Sequence, residues 1–412
     1  MLNFLLVRSL WYNRSRKKGN HVMKIKNRII IMFLFILSLV GCSSSYTSED
    51  YPLLSLDQHK KEIEGTFLAS IQPIKTEISI AAVGDLLIHS RVYNEAEQAD
   101  GSYNFLPMFE AVEPYLKEPT ITVANQETIM GGKEIGLSTY PAFNSPFELG
   151  DNLKEIGVDI VTMANNHTLD RGEQAIQNAI AHYEKIGMLY TGSFKSEEDR
   201  KEIRVIEEEG IRVAFLSYTY GTNGIPVPDG KDYLVNLIDK EVMKKDITEA
   251  QNRADIVVLC LHFGNEYERL PNNDQRSLAQ WAADLGVDVV IGHHPHVLQP
   301  IDWIEGSEGN KMLIAYSLGN FLSGQDKLYR QIGGVFQFNI TKTSDRKGDT
   351  FEVHSPSFLP TYVHFERING KMRNYEILPM KDITNQHLFN AKEHYEEIKS
   401  HLSQYTDIEF ME

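Results

Sequence analysis

Residues 159–172 read DIVTMANNHTLDRG, a short apolar run that passes directly into polar residues and then into a helical pattern. The run at 159–163 predicts a buried β-strand. On either side of it, at 147–156 and 173–186, apolar residues recur at three-to-four spacing and predict helices. Strands that alternate with helices are typical of a largely parallel sheet covered by helices, so this stretch predicts an α/β fold.

Four more apolar runs end in residues that can bind a metal ion. They are ISIAAVGD, TITVANQE, DIVVLCLH and DVVIGHHPH, which close at Asp85, Glu127, His262 and His296. Ligand sites of open α/β sheets lie outside the carboxyl ends of the strands, so we expect these residues to meet in one crevice. Further runs at 213–218, 312–316 and 335–340 raise the predicted strand count to eight or more, enough for two packed sheets.

The first two strand ends carry oxygen ligands. Asp85 follows a glycine on a predicted tight turn, with His89 four residues later. An aspartate after a strand is often only a helix cap. Asn125 and Glu127 are two residues apart and project to the same side of an extended backbone. A carboxylate and an amide oxygen facing one crevice suit a hard or borderline divalent cation.

The polar part of the opening segment offers both a ligand and a proton carrier. Asn166 supplies an oxygen, and His167 can exchange a proton near neutral pH. Asp170 is placed to orient that imidazole through a hydrogen bond. The alternative is a turn held by local Asx hydrogen bonds.

Histidines dominate the last two strand ends. His293, His294 and His296 occupy three of four positions, and His294 and His296 are predicted to share one side of an extended backbone. Packing alone explains them poorly, because each neutral imidazole needs a partner for both ring nitrogens. A metal ion supplies one such partner, whereas the alternative is a structural polar network.

Residues 1–41 predict a bacterial lipoprotein signal. A basic segment and the apolar run 29–37 precede Leu39-Val40-Gly41-Cys42, in which Cys42 is the residue expected to carry lipid. Met23 is a candidate for the true start, and residues 42–75 are predicted to form a tether and an N-terminal extension. The alternative is an uncleaved membrane anchor. Both interpretations predict a body outside the cytoplasm, held at the membrane.

Charge and cysteine content narrow the classes of partner. Eight Lys and Arg residues and no acids precede Cys42, so a chain that begins there has 33 basic and 57 acidic side chains and a formal charge of −24. Such a surface repels polyanions at long range, which argues against nucleic acid as a partner.

The second cysteine, Cys260, is predicted to be a buried apolar residue. GxxxxGK[ST], GxSxG and HExxH do not occur, which disfavours P-loop kinase, serine hydrolase and zincin functions.

In order along the chain, the motifs resemble those of the CapA family, bacterial capsule-synthesis or poly-γ-glutamate-synthesis proteins related to the calcineurin-like metallophosphoesterases. The resemblance covers residues 76–365 and leaves 366–412 as a C-terminal extension with an amphipathic helix at 385–402. It implies a four-layer α/β/β/α sandwich with two mixed sheets. The motifs are Gly84-Asp85, Asn125-x-Glu127, Ala164-Asn165-Asn166-His167-x-x-Asp170-x-Gly172, His262-x-Gly264-x-Glu266, Gly292-x-His294-Pro295-His296-Val297-x-Gln299 and Ser317-Leu318-Gly319-Asn320-Phe321.

The resemblance also implies roles for individual residues. One or two divalent ions (Mn, Zn, Fe or Mg) are expected, and His167 would stabilise the attacked phosphoryl group or protonate the leaving oxygen. Asp170 and Glu266 are further catalytic candidates. The implied metal ligands are Asp85, Glu127, Asn166, His262, His294 and His296, with His89, Asn125, His293 and Asn320 as additional candidates.

The chain departs from the metallophosphoesterase pattern at two places. Leu87 stands where the usual D-x-H opening has a histidine, so one metal position lacks a ligand unless His89 substitutes for it. Asn125-x-Glu127 replaces the usual G-D-x-x-D.

Three functions remain open. The favoured one is a part in capsule or poly-γ-glutamate synthesis or export, with the membrane (through Cys42) and the polymer or its synthesis complex as partners. The second is a stand-alone metal-dependent phosphoesterase or γ-glutamyl amide hydrolase of the envelope. The third is a non-catalytic polymer-binding or assembly scaffold. A charge of −24 repels polyglutamate, so binding it requires a bound metal or a local basic patch.

Overall fold

The computed structural model describes residues 73–412. The predicted signal at 1–41, Cys42 and nearly all of the predicted tether lie outside the described residues. Within the described range, none of the helices combines the length and the apolar character needed to cross a membrane.

Strands and helices alternate through the first two thirds of the described chain, and strands dominate after that. The strands are β1 (Ile74–Leu87), β2 (Ile121–Asn125), β3 (Ile160–Thr162), β4 (Leu189–Thr191), β5 (Arg204–Glu208), β6 (Ile211–Thr219), β7 (Ile256–His262), β8 (Val289–His293), β9 (Leu298–Glu305), β10 (Lys311–Leu318), β11 (Asn320–Ser323), β12 (Ile332–Asp345), β13 (Gly348–Ile368), β14 (Lys371–Pro379) and β15 (Glu409–Phe410). The helices are α1 (Ser90–Ala96), α2 (Leu106–Phe109), α3 (Glu113–Lys117), α4 (Glu148–Glu155), α5 (Gly172–Ile186), α6 (Glu197–Arg200), α7 (Lys240–Arg253), α8 (Asn273–Asp284) and α9 (Ala391–Leu402).

The strands form two mixed sheets. In the first, the order is β14-β13-β12-β1-β2-β3-β4, with β11 paired to β1 and β15 to β13. Strands β1 to β4 are parallel, whereas β12 to β14 are antiparallel. In the second, the order is β5-β6-β7-β8-β10-β9, with a parallel centre and an antiparallel strand at each edge. The parallel strands of each sheet therefore end at one edge of that sheet.

Alternating apolar residues build one core between the sheets and one on each outer face. In β1, Ile80 and Ala82 face the second sheet, while Ala81 and Val83 face the helices. Helices α4 and α5 pack on the outer face of the first sheet, and α7 and α8 on that of the second. The layers are α/β/β/α, as the family resemblance implied. Cys260 is buried and free in the core between the sheets, and burial raises the pKa of its thiol to about 12.

The C-terminal segment packs into the same cores. β13 runs through residue 365 and β14 pairs with it. Ile398 and Leu402 of α9 lie in the core between the sheets. The predicted helix at 385–402 is observed only from Ala391, because Asn390 before it adopts left-handed backbone (φ 56°).

Candidate metal centre

The carboxyl ends of β1, β2, β3, β7 and β8 meet at one buried crevice, as predicted. Nearly all of the predicted polar residues are at most 5% exposed there. These buried residues are Asp85, Asn125, Glu127, Asn166, His167, His262, His293, His294, His296 and Asn320.

Glu127, His294 and His296 form the centre of the crevice. One ligand atom from each lies within 4.8 Å of the other two. Glu127 Oε1 is 3.6 Å from His296 Nε2 and 3.5 Å from His262 Nε2. Both Glu127 oxygens and His294 Nδ1 are buried without a hydrogen-bond partner. Because an unpartnered buried carboxylate is costly, this donor set fits a divalent cation.

Asp85 and its neighbours orient His296. Asp85 Oδ1 accepts a hydrogen bond from Asn125 Nδ2 (2.8 Å), and Asn125 Oδ1 accepts one from Thr162 Oγ1 (3.0 Å). His296 Nδ1 lies 2.9 Å from Asp85 Oδ2 and 3.1 Å from Asn320 Oδ1. An imidazole that donates through Nδ1 keeps Nε2 for a metal, so these oxygens suit the supporting role that orients a ligand.

His262 and His293 complete the histidine cluster. His262 Nε2 lies 2.8 Å from Asn166 Oδ1, and Asn166 Nδ2 donates to Asn223 Oδ1 (3.2 Å). His262 Nδ1 is buried and unpartnered. His293 Nδ1 approaches Asp85 Oδ1 to 3.2 Å but not in hydrogen-bonding geometry, and both of its ring nitrogens are unpartnered.

Burial is the main influence on the pKa values of His262, His294 and Glu127. Burial lowers the pKa of His294 to about 2 and that of His262 well below its usual value, which leaves both rings neutral and able to bind a cation. Burial also raises the pKa of Glu127 to about 8, although the nearby His296 opposes this.

For Asp85 and His296, charged neighbours outweigh burial in setting the pKa. Burial alone would raise the pKa of Asp85, but His293 and His296 outweigh it and hold that pKa well below its usual range. Burial would lower the pKa of His296, but Glu127 and Asp85 outweigh it and raise the pKa to about 9. A cation bound among these groups would displace protons from them.

His167 lies beside this cluster and is paired with Asp170. His167 Nδ1 lies 2.7 Å from Asp170 Oδ2, which also accepts a hydrogen bond from the backbone of Phe143 (2.7 Å). The Phe143 ring stands edge-on to the imidazole at 4.8 Å. The His167 backbone donates to Asn165 Oδ1 (2.9 Å). The imidazole is therefore held with Nε2 left for another partner.

Within the described residues, neither His89 nor Glu266 forms a hydrogen bond with Glu127, His294 or His296. His89 Nδ1 contacts the Leu87 carbonyl (3.0 Å) and the Gly324 amide (3.2 Å), and burial lowers its pKa to about 4. Glu266 is exposed in the loop after β7.

The backbone of the His294 to His296 loop differs from the prediction. Strand β8 ends at His293, and both His294 (φ 97°) and His296 (φ 56°) adopt left-handed backbone. The predicted extended conformation is wrong here, because the chain bends around Pro295 and so directs both rings towards Glu127. Left-handed non-glycine residues cost about 1 kcal/mol or more and cluster at functional sites.

One glycine lets β1 and the connection between β10 and β11 approach closely at the crevice. A Cβ at Gly84 would lie 2.1 Å from the carbonyl oxygen of Gly319, so only glycine fits before Asp85. This contact brings Asp85 into register with Asn320 on β11.

The family described as "Bacterial capsule synthesis protein PGA_cap" matches residues 79–325 of this chain. The chain belongs to this family. "PGA biosynthesis protein CapA" of Bacillus subtilis (strain 168) is 30% identical over 304 residues, which cover 71% of this chain and 76% of that protein. "Capsule biosynthesis protein CapA" of Bacillus anthracis is 28% identical over 291 residues, covering 66% and 67%. Among solved structures, calcineurin-like phosphoesterase YfkN from Bacillus subtilis is similar at a TM-score of 0.37 and 14% identity, covering 79% of this chain and 98% of that one.

The PGA_cap match includes every predicted metal-site residue, from Asp85 to Asn320. Sequence reasoning missed four neighbours of the site: Phe143, Asn223, Tyr267 and Arg330. Asn223 lies in the turn Thr222-Asn223-Gly224, whose composition indicates only a loop. Arg330 follows the matched residues, and no spacing connects it to them.

Proposed function

We propose that this protein takes part in capsule or poly-γ-glutamate synthesis or export and uses a metallophosphoesterase-like metal centre to do so. Membership of the PGA_cap family and the similarity to two CapA proteins support the first part. The second part depends on one observation above all. Glu127 has two buried oxygens without partners, facing His294 and His296.

Glu127, His294 and His296 would hold a divalent ion, with Asn166 and His262 as the next ligands for it or for a second ion, while Asp85 would orient His296 through Nδ1. Mixed nitrogen and oxygen donors suit Mn, Zn or Fe, and Mg is the remaining candidate. Such an ion polarises a phosphoryl or carbonyl oxygen and lowers the pKa of a water molecule.

The proposed reaction class is metal-dependent hydrolysis, and it depends on His167. Asp170 favours the tautomer of His167 that carries its proton on Nδ1, which leaves Nε2 as the group that would exchange a proton with the reacting oxygen. A scaffold that only bound polymer would not need this buried pair. The substrate is a phosphate ester or a γ-glutamyl amide.

We further propose that lipid at Cys42 holds the protein on the outer face of the cell membrane. The pattern Leu39-Val40-Gly41-Cys42 supports this attachment. Cys42→Ser is expected to move the protein from the membrane fraction to the soluble fraction. Equal membrane recovery of Cys42→Ser and wild type would contradict it.

Metal content and polymer production test the main proposal together. Protein purified without chelator is expected to contain a divalent metal, and His294→Ala is expected to lose the metal and polymer production while staying folded. His167→Ala is expected to keep the metal and lose production. His354→Ala, a half-buried histidine on β13, is the control and should behave as wild type. Metal-free wild-type protein, with full production by both site variants, would refute the proposal.

A further inference from the structure

An arginine lies one aromatic ring away from the central cluster. The guanidinium carbon of Arg330 sits 3.3 Å from the centre of the Tyr267 ring. The same ring is 6.1 Å from the ring of His296, centre to centre. Arg330 ends a 3-10 turn at Leu328–Arg330, between β11 and β12. A cation is thus stacked on an aromatic ring that neighbours a residue of the candidate metal centre.

Both partners of this stack are tied to the loop that carries the histidines. The Arg330 carbonyl accepts a hydrogen bond from Asn320 Nδ2 (2.8 Å), and Asn320 Oδ1 lies 3.1 Å from His296 Nδ1. The Tyr267 amide, in left-handed backbone (φ 69°), donates to the Pro295 carbonyl (2.7 Å). Arg330 is therefore positioned relative to His296 by short connections on both sides.

The charge of Arg330 has no partner within the described part of the chain. No carboxylate lies within 4.0 Å of its guanidinium, in contrast to Arg269, which stacks on Tyr329 at 3.9 Å and pairs with Glu397 at 2.8 Å. The chain has 57 acidic and 41 basic residues, so an arginine without an ion pair beside a buried site is notable. A guanidinium presents a planar fork of N–H donors that matches carboxylate and phosphate oxygens.

We propose that Arg330, stacked on Tyr267, binds an oxyanion of the substrate while another group of the same substrate lies at the Glu127, His294 and His296 cluster. This inference rests on the proposed function and names its substrate class: a molecule with a carboxylate or phosphate beside the reacting group. The stack limits the rotamers of Arg330 before binding, so less entropy is lost when the oxyanion binds. It also supplies the local positive charge that an acidic protein needs at an anion site.

Calorimetric titration of the full-length protein tests this, using inorganic phosphate in one arm and glutarate in the other, with and without added Mn²⁺. Arg330→Gln is expected to weaken binding of one or both anions by about tenfold or more. Arg330→Lys keeps the charge without the planar fork, so its anion affinity should lie between those of wild type and Arg330→Gln. Arg276→Gln is the matched control, because Arg276 also stacks on a tyrosine, Tyr405 at 5.1 Å, and should bind as wild type.

The arms separate the sources of the oxyanion. A larger loss for glutarate indicates a carboxylate substrate, and a larger loss for phosphate indicates a phosphate ester. Equal affinities for wild type, Arg330→Gln and Arg330→Lys, or wild-type protein that binds neither anion, would overturn the inference. Metal content measured on the same samples keeps the two proposals distinguishable. Metal-free protein counts against the proposed function, whereas metal-loaded protein with unchanged anion affinity counts against Arg330 alone.

Discussion

At the scale of single residues, the site combines chemistry that is predictable with geometry that is not. Asp85, Glu127 and His262 end apolar runs, and the structure brings them to one crevice. The left-handed backbone at His294 and His296 leaves no trace in the sequence, because bulky residues adopt it only where tertiary contacts impose it.

Glu127→Gln separates metal binding from folding. The substitution keeps the shape of the side chain but removes the charge that the cation needs, so metal content should fall to below about a tenth of the wild-type value. The metal-free variant should unfold within about 1 kcal/mol of metal-free wild type, because with a pKa of about 8 the metal-free Glu127 carboxyl is itself mostly neutral at pH 7 and a neutral amide of the same shape costs about as much to bury. Elemental analysis and urea unfolding in chelator measure the two effects. Retained metal, or a loss of several kcal/mol, would contradict the assignment.

Contacts between strands and between loops at the site were not predictable from the sequence. The roles of Asn125 and Asp85 in orienting other groups depend on contacts between strands, which spacing along the chain cannot show. Tyr267 and Arg330 are 63 positions apart and meet only because both pack against the histidine loop. Residue types at strand ends were therefore predictable, and contacts between loops were not.

Asp170→Asn tests the proton-exchange role of His167. An uncharged side chain still fills the space beside His167 and Phe143, but it no longer stabilises a protonated imidazole or fixes its tautomer. Hydrolysis of a chromogenic phosphate monoester or γ-glutamyl anilide should fall by about a hundredfold or more. Metal content should not change, which distinguishes this variant from Glu127→Gln. Activity equal to wild type would remove His167 from the mechanism.

At the scale of elements, three strands are each preceded by an aspartate that hydrogen-bonds to the strand beside it. Asp159, Asp255 and Asp288 each donate a backbone hydrogen bond to the neighbouring parallel strand and accept one from it through the side chain. The repeated Asp-(Ile/Val)-Val pattern at these positions is visible in the sequence. Its effect is to set the register at the ends of the strands opposite the site.

Asp288 makes stability depend on pH in an unusual direction. Burial raises its pKa to about 6, although the Val257 N–H opposes this. A carboxyl whose pKa is raised on folding stabilises the fold below its ordinary pKa, and that stability is lost as pH rises through about 6. This group alone should lower the free energy of unfolding by up to about 3 kcal/mol between pH 4 and pH 7. Asp288→Asn keeps an acceptor for Val257 and should abolish that slope in urea unfolding.

Asp255 provides a control, because its pKa is shifted in the direction opposite to that of Asp288. Burial would raise its pKa, but hydrogen bonds from Arg212 outweigh burial and lower it. Its contribution is therefore present at neutral pH and is lost as pH falls below about 4. Asp255→Asn should destabilise the protein at pH 7 and leave the slope due to Asp288 intact. Identical pH profiles for wild type and Asp288→Asn would refute the assignment.

The elements themselves were mostly predictable. The helices α4 and α5 and the strand β3 match the pattern in residues 147–186 to within one residue at each end. The long strands β12 to β14 were under-predicted, since only 335–340, which reads VFQFNI, has a regular apolar pattern. Their outer parts pair with each other and carry polar residues, so periodicity fails there.

At the scale of the whole molecule, the two sheets carry the residues of the site, and the net charge determines how strongly the protein repels a polyanion at a distance. The formal charge is −16, and −24 if the chain begins at Cys42. A polyanion is thus repelled at long range, and under the proposals above it binds only close to the metal cluster and Arg330. The net charge therefore acts on a polyanion at long range, whereas the groups at the crevice act on it only at short range.

Salt should consequently speed the approach of a polyanionic substrate. Raising ionic strength from 0.01 M to 0.15 M shortens the screening length from about 30 Å to about 8 Å, which weakens repulsion by distant acids while leaving short contacts largely intact. The association rate of metal-loaded protein with poly-γ-glutamate, measured by stopped-flow fluorescence, should rise severalfold over this range. Arg330→Gln should leave that rise in place and mainly increase the dissociation rate, since close contacts act on dissociation. An association rate that falls with salt would mean that a positive surface, rather than the metal cluster and Arg330, attracts the polymer.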